Sequence, residues 1–133
     1  MKLTAATIAL LLLALPAIAQ PTISNPWVGL WQAQQDGQTS VLLTLGDDNG
    51  QFAGGIVFNI VAHSGGQTYI AGHDAHAILN PHIDGNTLLF QVIRRSDSLR
   101  LDMTVRMTAD GKATLHCQNC GSDAPTVEIT RER

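Results

Sequence analysis

The sequence predicts an all-β domain, folded as a small antiparallel up-and-down barrel of about eight strands, with an open β-sandwich or clam as the alternative. Two observations predict this class. Apolar and polar residues alternate along several short segments, which is the period of a strand buried on one face. Turns rich in Gly, Asp and Asn separate these segments about every 8 to 12 residues, which is typical of all-β domains.

The clearest strand is the segment SLRLDMTVRM at residues 98–107. Every second residue in it is apolar, so one face is expected to be buried: Leu99, Leu101, Met103, Val105 and Met107. Asp110-Gly111 follows as a hairpin turn. The next segment, KATLHC, places Ala113, Leu115 and Cys117 on one face and His116 on the other.

The same pattern occurs upstream. Residues 40–45 and 51–61 flank Asn49-Gly50, a pair suited to a tight turn with positive φ. Gly54-Gly55 lies inside the second of these segments and predicts a bulge or sharp bend.

Three further segments complete the assignment. Residues 88–93 follow a turn and form an apolar strand, and residues 127–131 place Arg131 on the same face as Val127 and Ile129. Residues 67–80 fit either a strand pair or a short helix.

The N-terminus has the three-part pattern of a secretory signal peptide. Lys2 precedes the apolar run from Ile8 to Leu15, and the small-residue triplet Ala17-Ile18-Ala19 follows it. The run is shorter than the roughly 20 residues that span a bilayer. We therefore expect residues 1–19 to be removed and residues 20–133 to form a single all-β domain without a membrane span. The protein would then be exported to the periplasm or the extracellular space.

Charge and motifs limit the function. Removal of Lys2 with the leader leaves seven basic against 11 acidic residues, a net charge of −4. Arg94-Arg95 is the one basic pair, so nucleic acid and anionic membranes are poor candidates for partners. The sequence contains no G-x-S-x-G, no HExxH and no glycine-rich phosphate loop beside a helix. We expect no enzymatic activity and no cofactor.

The segment NPWVGLWQAQ contains Gly29-Leu30-Trp31 at the first strand of the mature chain, and Arg131 lies on the last strand. A G-x-W at the first strand with a late arginine resembles the calycin superfamily of lipocalins, fatty-acid-binding proteins and avidins. The resemblance implies that Trp31 plugs the closed end of the barrel and that Arg131 packs across its ring. An inward arginine needs a partner, and an indole face supplies one.

The two cysteines, Cys117 and Cys120, form a C-x-x-C motif with three interpretations. A zinc knuckle needs two more ligands, and no second knuckle exists in the sequence. A redox dithiol needs a helix after its first cysteine, whereas GSDAP has turn composition. We favour a disulfide that closes a tight turn at the end of the penultimate strand.

The histidines are weaker candidates for metal ligands. His73 and His76 would point to opposite faces of a strand, so they could not chelate one ion together. Asp74 with His76, or His76 with His82 across the Asn80-Pro81 turn, remains open as a pair. We expect no metal site; the alternative would use His76, His82, Cys117 and Cys120.

We predict a non-enzymatic β-barrel that binds a small apolar or amphipathic ligand. An eight-stranded barrel is either filled by side chains or holds one such ligand. Candidate pocket residues lie on the apolar strand faces: Leu43, Ile56, Phe58, Phe90, Leu101, Met103 and Leu115. Two alternatives stay open: a β-sandwich interaction or inhibitor module that acts through its loops, and a metal-handling or thiol-redox protein that uses the C-x-x-C.

A thiol and metal count separates the third function from the others. We expect the purified mature protein to contain no free thiol under denaturing conditions and no bound metal, because the two cysteines are paired with each other. Thiol titration and elemental analysis measure both quantities. Two reactive thiols, or one equivalent of zinc, would favour the thiol or metal function.

Overall fold

A computed structural model of the chain describes residues 25–133. Within this range the fold is all-β, as predicted, with nine strands and no helix that could cross a membrane. The strands are β1 (Gly29–Gln35), β2 (Gln38–Asp48), β3 (Gln51–Ser64), β4 (Gln67–Ala77), β5 (Leu79–Asp84), β6 (Thr87–Ile93), β7 (Arg100–Ala109), β8 (Lys112–Cys117) and β9 (Val127–Arg131). The predicted signal peptide, residues 1–19, and the domain boundary at residue 20 lie outside the described residues.

All nine strands belong to one antiparallel sheet with the order β4-β3-β2-β1-β9-β8-β7-β6-β5. Consecutive strands are neighbours in two meanders, β1 to β4 and β5 to β9. Pairing of the first strand with the last joins these meanders. The sheet is up-and-down and curls into a half-barrel.

The predicted closed barrel of about eight strands is wrong, because the sheet has nine strands and keeps two edges, β4 and β5. These strands follow each other with only Ile78 between them, so the chain does not reverse direction there. The chain changes its hydrogen-bonding partner there instead: β4 pairs with β3, and β5 pairs with β6. In β5 the register is interrupted between Leu79 and His82, where Asn80 has a φ of 50° and Pro81 lacks an amide hydrogen. A seam therefore separates the two edges.

Residues 67–80 form strand rather than helix, as β4 and the start of β5. The predicted strand at 98–107 begins two residues later, at Arg100. Ser98 has a φ of 59°, and Leu99 is exposed in the β6–β7 connection instead of buried. The alternation from Leu101 onward is as predicted, with Met103 and Val105 buried.

The predicted bulge at Gly54-Gly55 does not occur, because the register of β2 with β3 is continuous there. A close backbone approach explains the glycine instead. A Cβ on Gly54 would overlap the carbonyl oxygen of Thr44 on β2. The Gly54 carbonyl also accepts a hydrogen bond from the Ile78 amide at 3.2 Å, at the point where β4 ends its pairing with β3.

The concave face of the half-barrel carries the core. Its largest fully buried side chains come from both meanders: Trp31, Phe90, Leu43, Ile56, Leu88, Ile129, Val92 and Val105. No polar or charged residue among positions 25–133 is fully buried. The fold is therefore stabilised mainly by apolar burial against one curved surface.

Gly54→Ala tests the close approach at the seam. We expect it to lower the free energy of unfolding by about 1–3 kcal/mol, since the new methyl group has to displace backbone. The matched control is Gly46→Ala on the adjacent strand, where the nearest atom to an added Cβ is the Ala53 oxygen at 3.7 Å. Urea unfolding followed by tryptophan fluorescence measures both variants. Equal stability of the two proteins would contradict the prediction.

Candidate functional site

One end of the half-barrel is occupied by Trp31, which is completely buried. Its cross-strand partner is Arg131, whose guanidinium carbon lies 5.8 Å from the centroid of the Trp31 ring. Arg131 also donates a hydrogen bond from Nη1 to the Pro26 carbonyl at 2.7 Å, and the Trp31 indole donates to the Trp27 carbonyl at 2.9 Å. The structure thus brings the two predicted barrel-closing residues into contact and lays residues 25–28 over them.

Gly29 makes room for this arrangement. Its φ is 133°, a conformation that favours glycine, and a Cβ at this position would lie 3.3 Å from Cδ of Arg131. Both residues of the G-x-W triplet, the glycine and the tryptophan, therefore contribute to the contact with Arg131. Gly29 admits the arginine stem, and Trp31 supplies the surface beneath the guanidinium.

The half-barrel contains a cavity of about 620 Å³ toward the end away from Trp31. Its walls combine apolar strand residues with the β8–β9 connection: Val41, Phe58, Leu101, Met103, Leu115, His116, Cys117, Cys120, Gly121, Ser122, Asp123, Ala124, Pro125 and Val127. Val41 and Phe58 are cross-strand partners on β2 and β3, while Leu101 and Met103 belong to β7. The cavity therefore connects both meanders of the sheet.

Four of the seven predicted pocket residues line this cavity: Phe58, Leu101, Met103 and Leu115. The other three are in the packed core instead. Leu43 and Ile56 are cross-strand partners at the level of Trp31, deeper than the cavity, and Phe90 is buried on β6. Strand parity identifies the concave face correctly. It does not indicate where along that face the packing ends.

The two cysteine sulfur atoms lie at disulfide distance, with the Cα atoms 5.5 Å apart, as the disulfide interpretation predicts. The pair begins the β8–β9 connection and lines the cavity. Asn119, between the cysteines, accepts a hydrogen bond from the Asp102 amide at 2.8 Å and donates one to the Arg100 carbonyl at 2.9 Å. The turn is thereby held against β7, and with it one wall of the cavity.

Sequence reasoning missed much of this wall. Val127 lies between the polar residues Thr126 and Glu128, and Val41 is two residues from Leu43 on the same strand face, so parity could have identified both. Residues 121–125 gave no such signal. A loop lines a cavity only because of where the chain returns to the sheet, and turn composition does not contain that information.

The predicted metal-ligand candidates do not assemble. His76 has a side chain only 8% exposed, and its Nε2 lies 2.7 Å from Oδ2 of Asp74. The exposed ring of His82 is 3.1 Å from the Asn80 carbonyl on a different edge. Among residues 25–133, no group of three or more His, Cys, Asp or Glu side chains is close enough to hold a metal ion.

The β6–β7 connection, residues 94–99, bridges the seam beside His76. Arg95 donates a hydrogen bond to the Ala75 carbonyl on β4 at 2.6 Å and lies 3.8 Å from the Asp74 carboxylate. Within the connection, Arg94 and then the Leu99 amide hold the pKa of Asp97 at about 2, below its usual 3.8. The hydrogen bonds that the Asp97 carboxylate accepts from the Arg94 guanidinium and the Leu99 amide tie the two ends of the connection together.

Arg131→Met tests the contact of the Arg131 guanidinium with the Trp31 ring. Methionine keeps an apolar stem over Trp31 but loses the guanidinium and its hydrogen bond to Pro26. We expect the free energy of unfolding to fall by about 1–3 kcal/mol. Arg106→Met is the matched control, because Arg106 is exposed on β7. Chemical unfolding measures both, and similar stabilities would contradict the prediction.

Comparison with known proteins identifies no relative: no family model, no curated protein and no solved structure matches this chain. The resemblance to calycins therefore stays a prediction from the G-x-W triplet and the late arginine of the sequence.

Proposed function

We propose that this protein is a non-enzymatic binding protein that holds a small apolar or amphipathic ligand in the cavity of its half-barrel. One observation carries the proposal: a cavity of about 620 Å³ whose walls are mainly apolar. This volume is within the range of roughly 300–1,000 Å³ that is usual for sites binding small molecules.

The distribution of side chains favours a ligand with one polar end. Phe58, Met103 and Leu115 form apolar wall, while Ser122 and Asp123 belong to the connection at the rim. Both rim residues are exposed, so a polar group there would stay in contact with water. An apolar group would enter between the two meanders, where it loses the most contact with water.

The Trp31–Arg131 contact supports a calycin-like architecture for this site. In that architecture one end is closed by the tryptophan and the ligand enters from the other. The register is compatible with this arrangement, since Leu43 and Ile56 are level with Trp31, whereas the cavity residues Val41 and Phe58 form the next cross-strand pair on the same face. The open seam and the ninth strand are departures from a closed calycin barrel.

Export to the periplasm or the extracellular space is part of the proposal. A disulfide between Cys117 and Cys120 fits an oxidising compartment, and the N-terminal pattern of residues 1–19 fits secretion. The interaction-module alternative would be favoured by a filled interior beneath an exposed apolar patch. The cavity argues for the ligand-binding function instead.

Leu101→Trp tests the site. Leu101 is half-buried at the cavity wall, so a larger side chain should occupy the ligand volume. We expect displacement of a fluorescent lipid probe, or native mass spectrometry, to show binding by the natural protein and an affinity at least about tenfold lower for the variant. Leu89→Trp is the control, because Leu89 is on the outer face of β6 and pairs with outward Thr104.

Two results would contradict the proposed function. The natural protein could take up no apolar or amphipathic probe at any concentration tested. Alternatively, Leu101→Trp and Leu89→Trp could bind probe equally well, which would place binding outside the cavity.

A further inference from the structure

We propose that the Cys117–Cys120 disulfide captures a small neutral thiol that has bound in the cavity, by thiol–disulfide exchange. The captured ligand is held as a mixed disulfide on Cys120, and Cys117 becomes a free thiol. The inference rests on the proposed function. It adds a class of ligand and a covalent step at the same site.

The disulfide is not needed to hold the turn that contains it. The Gln118 amide donates a hydrogen bond to the Asp102 carbonyl at 2.8 Å. Asn119 accepts one from the Asp102 amide at 2.8 Å and donates one to the Arg100 carbonyl at 2.9 Å. The disulfide itself joins residues only three positions apart, and the stabilisation from a disulfide grows with loop length. The bond can therefore open while the cavity wall keeps its place on β7.

The two cysteines line the cavity but differ in exposure. Cys117 is 9% exposed, ends β8 and pairs with Met103 across the sheet. Cys120 is exposed, and an added Cβ on the next residue, Gly121, would meet no atom within 4 Å. An attacking sulfur has to reach the disulfide in line with the S–S bond, from beyond the sulfur that it attacks. A thiol in the cavity therefore attacks Cys120 and displaces Cys117.

The exchange is balanced by the protein and its ligand alone. The ligand loses its thiol proton, and its sulfur bonds to Cys120 Sγ. The Cys117–Cys120 bond breaks, its electron pair leaves on Cys117 Sγ, and this sulfur takes up a proton. No oxidant or reductant is consumed. As a thiol, Cys117 has an acceptor in place, since Oδ1 of Asn119 lies 3.6 Å from Sγ.

This chemistry suits a C-x-x-C motif that has no helix after it. A catalytic redox dithiol depends on activation of its own thiolate, often at a helix N-terminus. In capture, the disulfide is the electrophile and the ligand supplies the thiolate. The motif here ends β8 at Cys117, and the next element is the strand β9 from Val127. The absence of a helix between them thus argues against the dithiol reaction and leaves capture unaffected.

The walls of the cavity favour a neutral, apolar thiol. Phe58, Met103 and Leu115 offer apolar contact, which rewards an apolar ligand. Among the described residues that line the cavity, Asp123 supplies a carboxylate, and neither lysine nor arginine is present. An anionic thiol would be repelled by Asp123 without gaining a cationic partner. The volume of about 620 Å³ accommodates a two-ring aromatic thiol.

Incubation of the oxidised protein with naphthalene-2-thiol tests the inference. We expect one ligand per chain by intact mass spectrometry, with a mass increase equal to the whole thiol, because no atom is lost in the exchange. Trapping with N-ethylmaleimide followed by peptide mapping should place the ligand on Cys120 and the maleimide on Cys117. Naphthalene-2-ol, which has the same shape without the thiol, should slow capture by about tenfold or more when it saturates the cavity.

Two comparisons separate capture in the cavity from reaction in solvent. Each rate is normalised to the reaction of the same thiol with oxidised glutathione, which removes differences in intrinsic reactivity. The anionic 2-mercaptoethanesulfonate should then react at least about tenfold more slowly than naphthalene-2-thiol. Leu101→Trp, which fills the cavity, should slow capture of naphthalene-2-thiol by about tenfold, and the control Leu89→Trp should leave the rate unchanged.

Each contrary result has a distinct meaning. If neither naphthalene-2-ol nor the fluorescent lipid probe binds, the proposed function fails and the inference fails with it. If naphthalene-2-ol binds but naphthalene-2-thiol leaves no adduct, the cavity function stands and capture is overturned. Equal normalised rates for the two thiols, or no competition by naphthalene-2-ol, would place the reaction at the solvent surface and overturn it. Two free cysteines with release of the ligand's own disulfide would show plain reduction, which also overturns it.

Discussion

The fold depends on the pairing of β1 with β9. This contact joins two meanders that otherwise form separate sheets, and it consists of only two residue pairs, Trp31 with Arg131 and Gln32 with Thr130, extended by the Glu132 amide donating to the Leu30 carbonyl. So short a ladder contributes few hydrogen bonds. The buried indole and the arginine stacked on it supply the remaining attraction, and Gly29 gives the arginine space. Because this junction joins the two meanders into one sheet, the concave interior that both of them line depends on it.

The sequence predicted the features that local chemistry determines. Alternation identified β7 from Leu101 onward and the buried face of β8, and the Asn49-Gly50 and Asp110-Gly111 turns fall between paired strands. Parity also placed Arg131 on the inner face. These predictions succeed because each depends on residues one or two positions apart.

The features that failed are set by distant parts of the chain. Asn80-Pro81 marks an interruption locally, but no local signal states that the ladder changes partner at Ile78, because the partners, β3 and β6, are distant in sequence. Leu99 continues the alternation of β7 in sequence, yet the Arg94–Asp97 ion pair turns the chain before it can join the sheet. The cavity wall at residues 121–125 has the same origin, since it depends on how the β8–β9 connection folds back. Non-local packing overrides local pattern at all three places.

The open seam has a mechanical consequence. In a closed barrel, the number of strands and their stagger determine the diameter, so the interior cannot widen without breaking a ladder. Here β4 and β5 diverge from Ile78, and side-chain contacts such as that of Arg95 in the β6–β7 connection with the Ala75 carbonyl on β4 replace backbone pairing between these two strands. The radius of curvature is therefore set by side-chain packing, which is softer than a hydrogen-bonded ring. The concave interior of such a sheet can widen or narrow to fit what it holds, while every strand keeps its hydrogen-bonded neighbours.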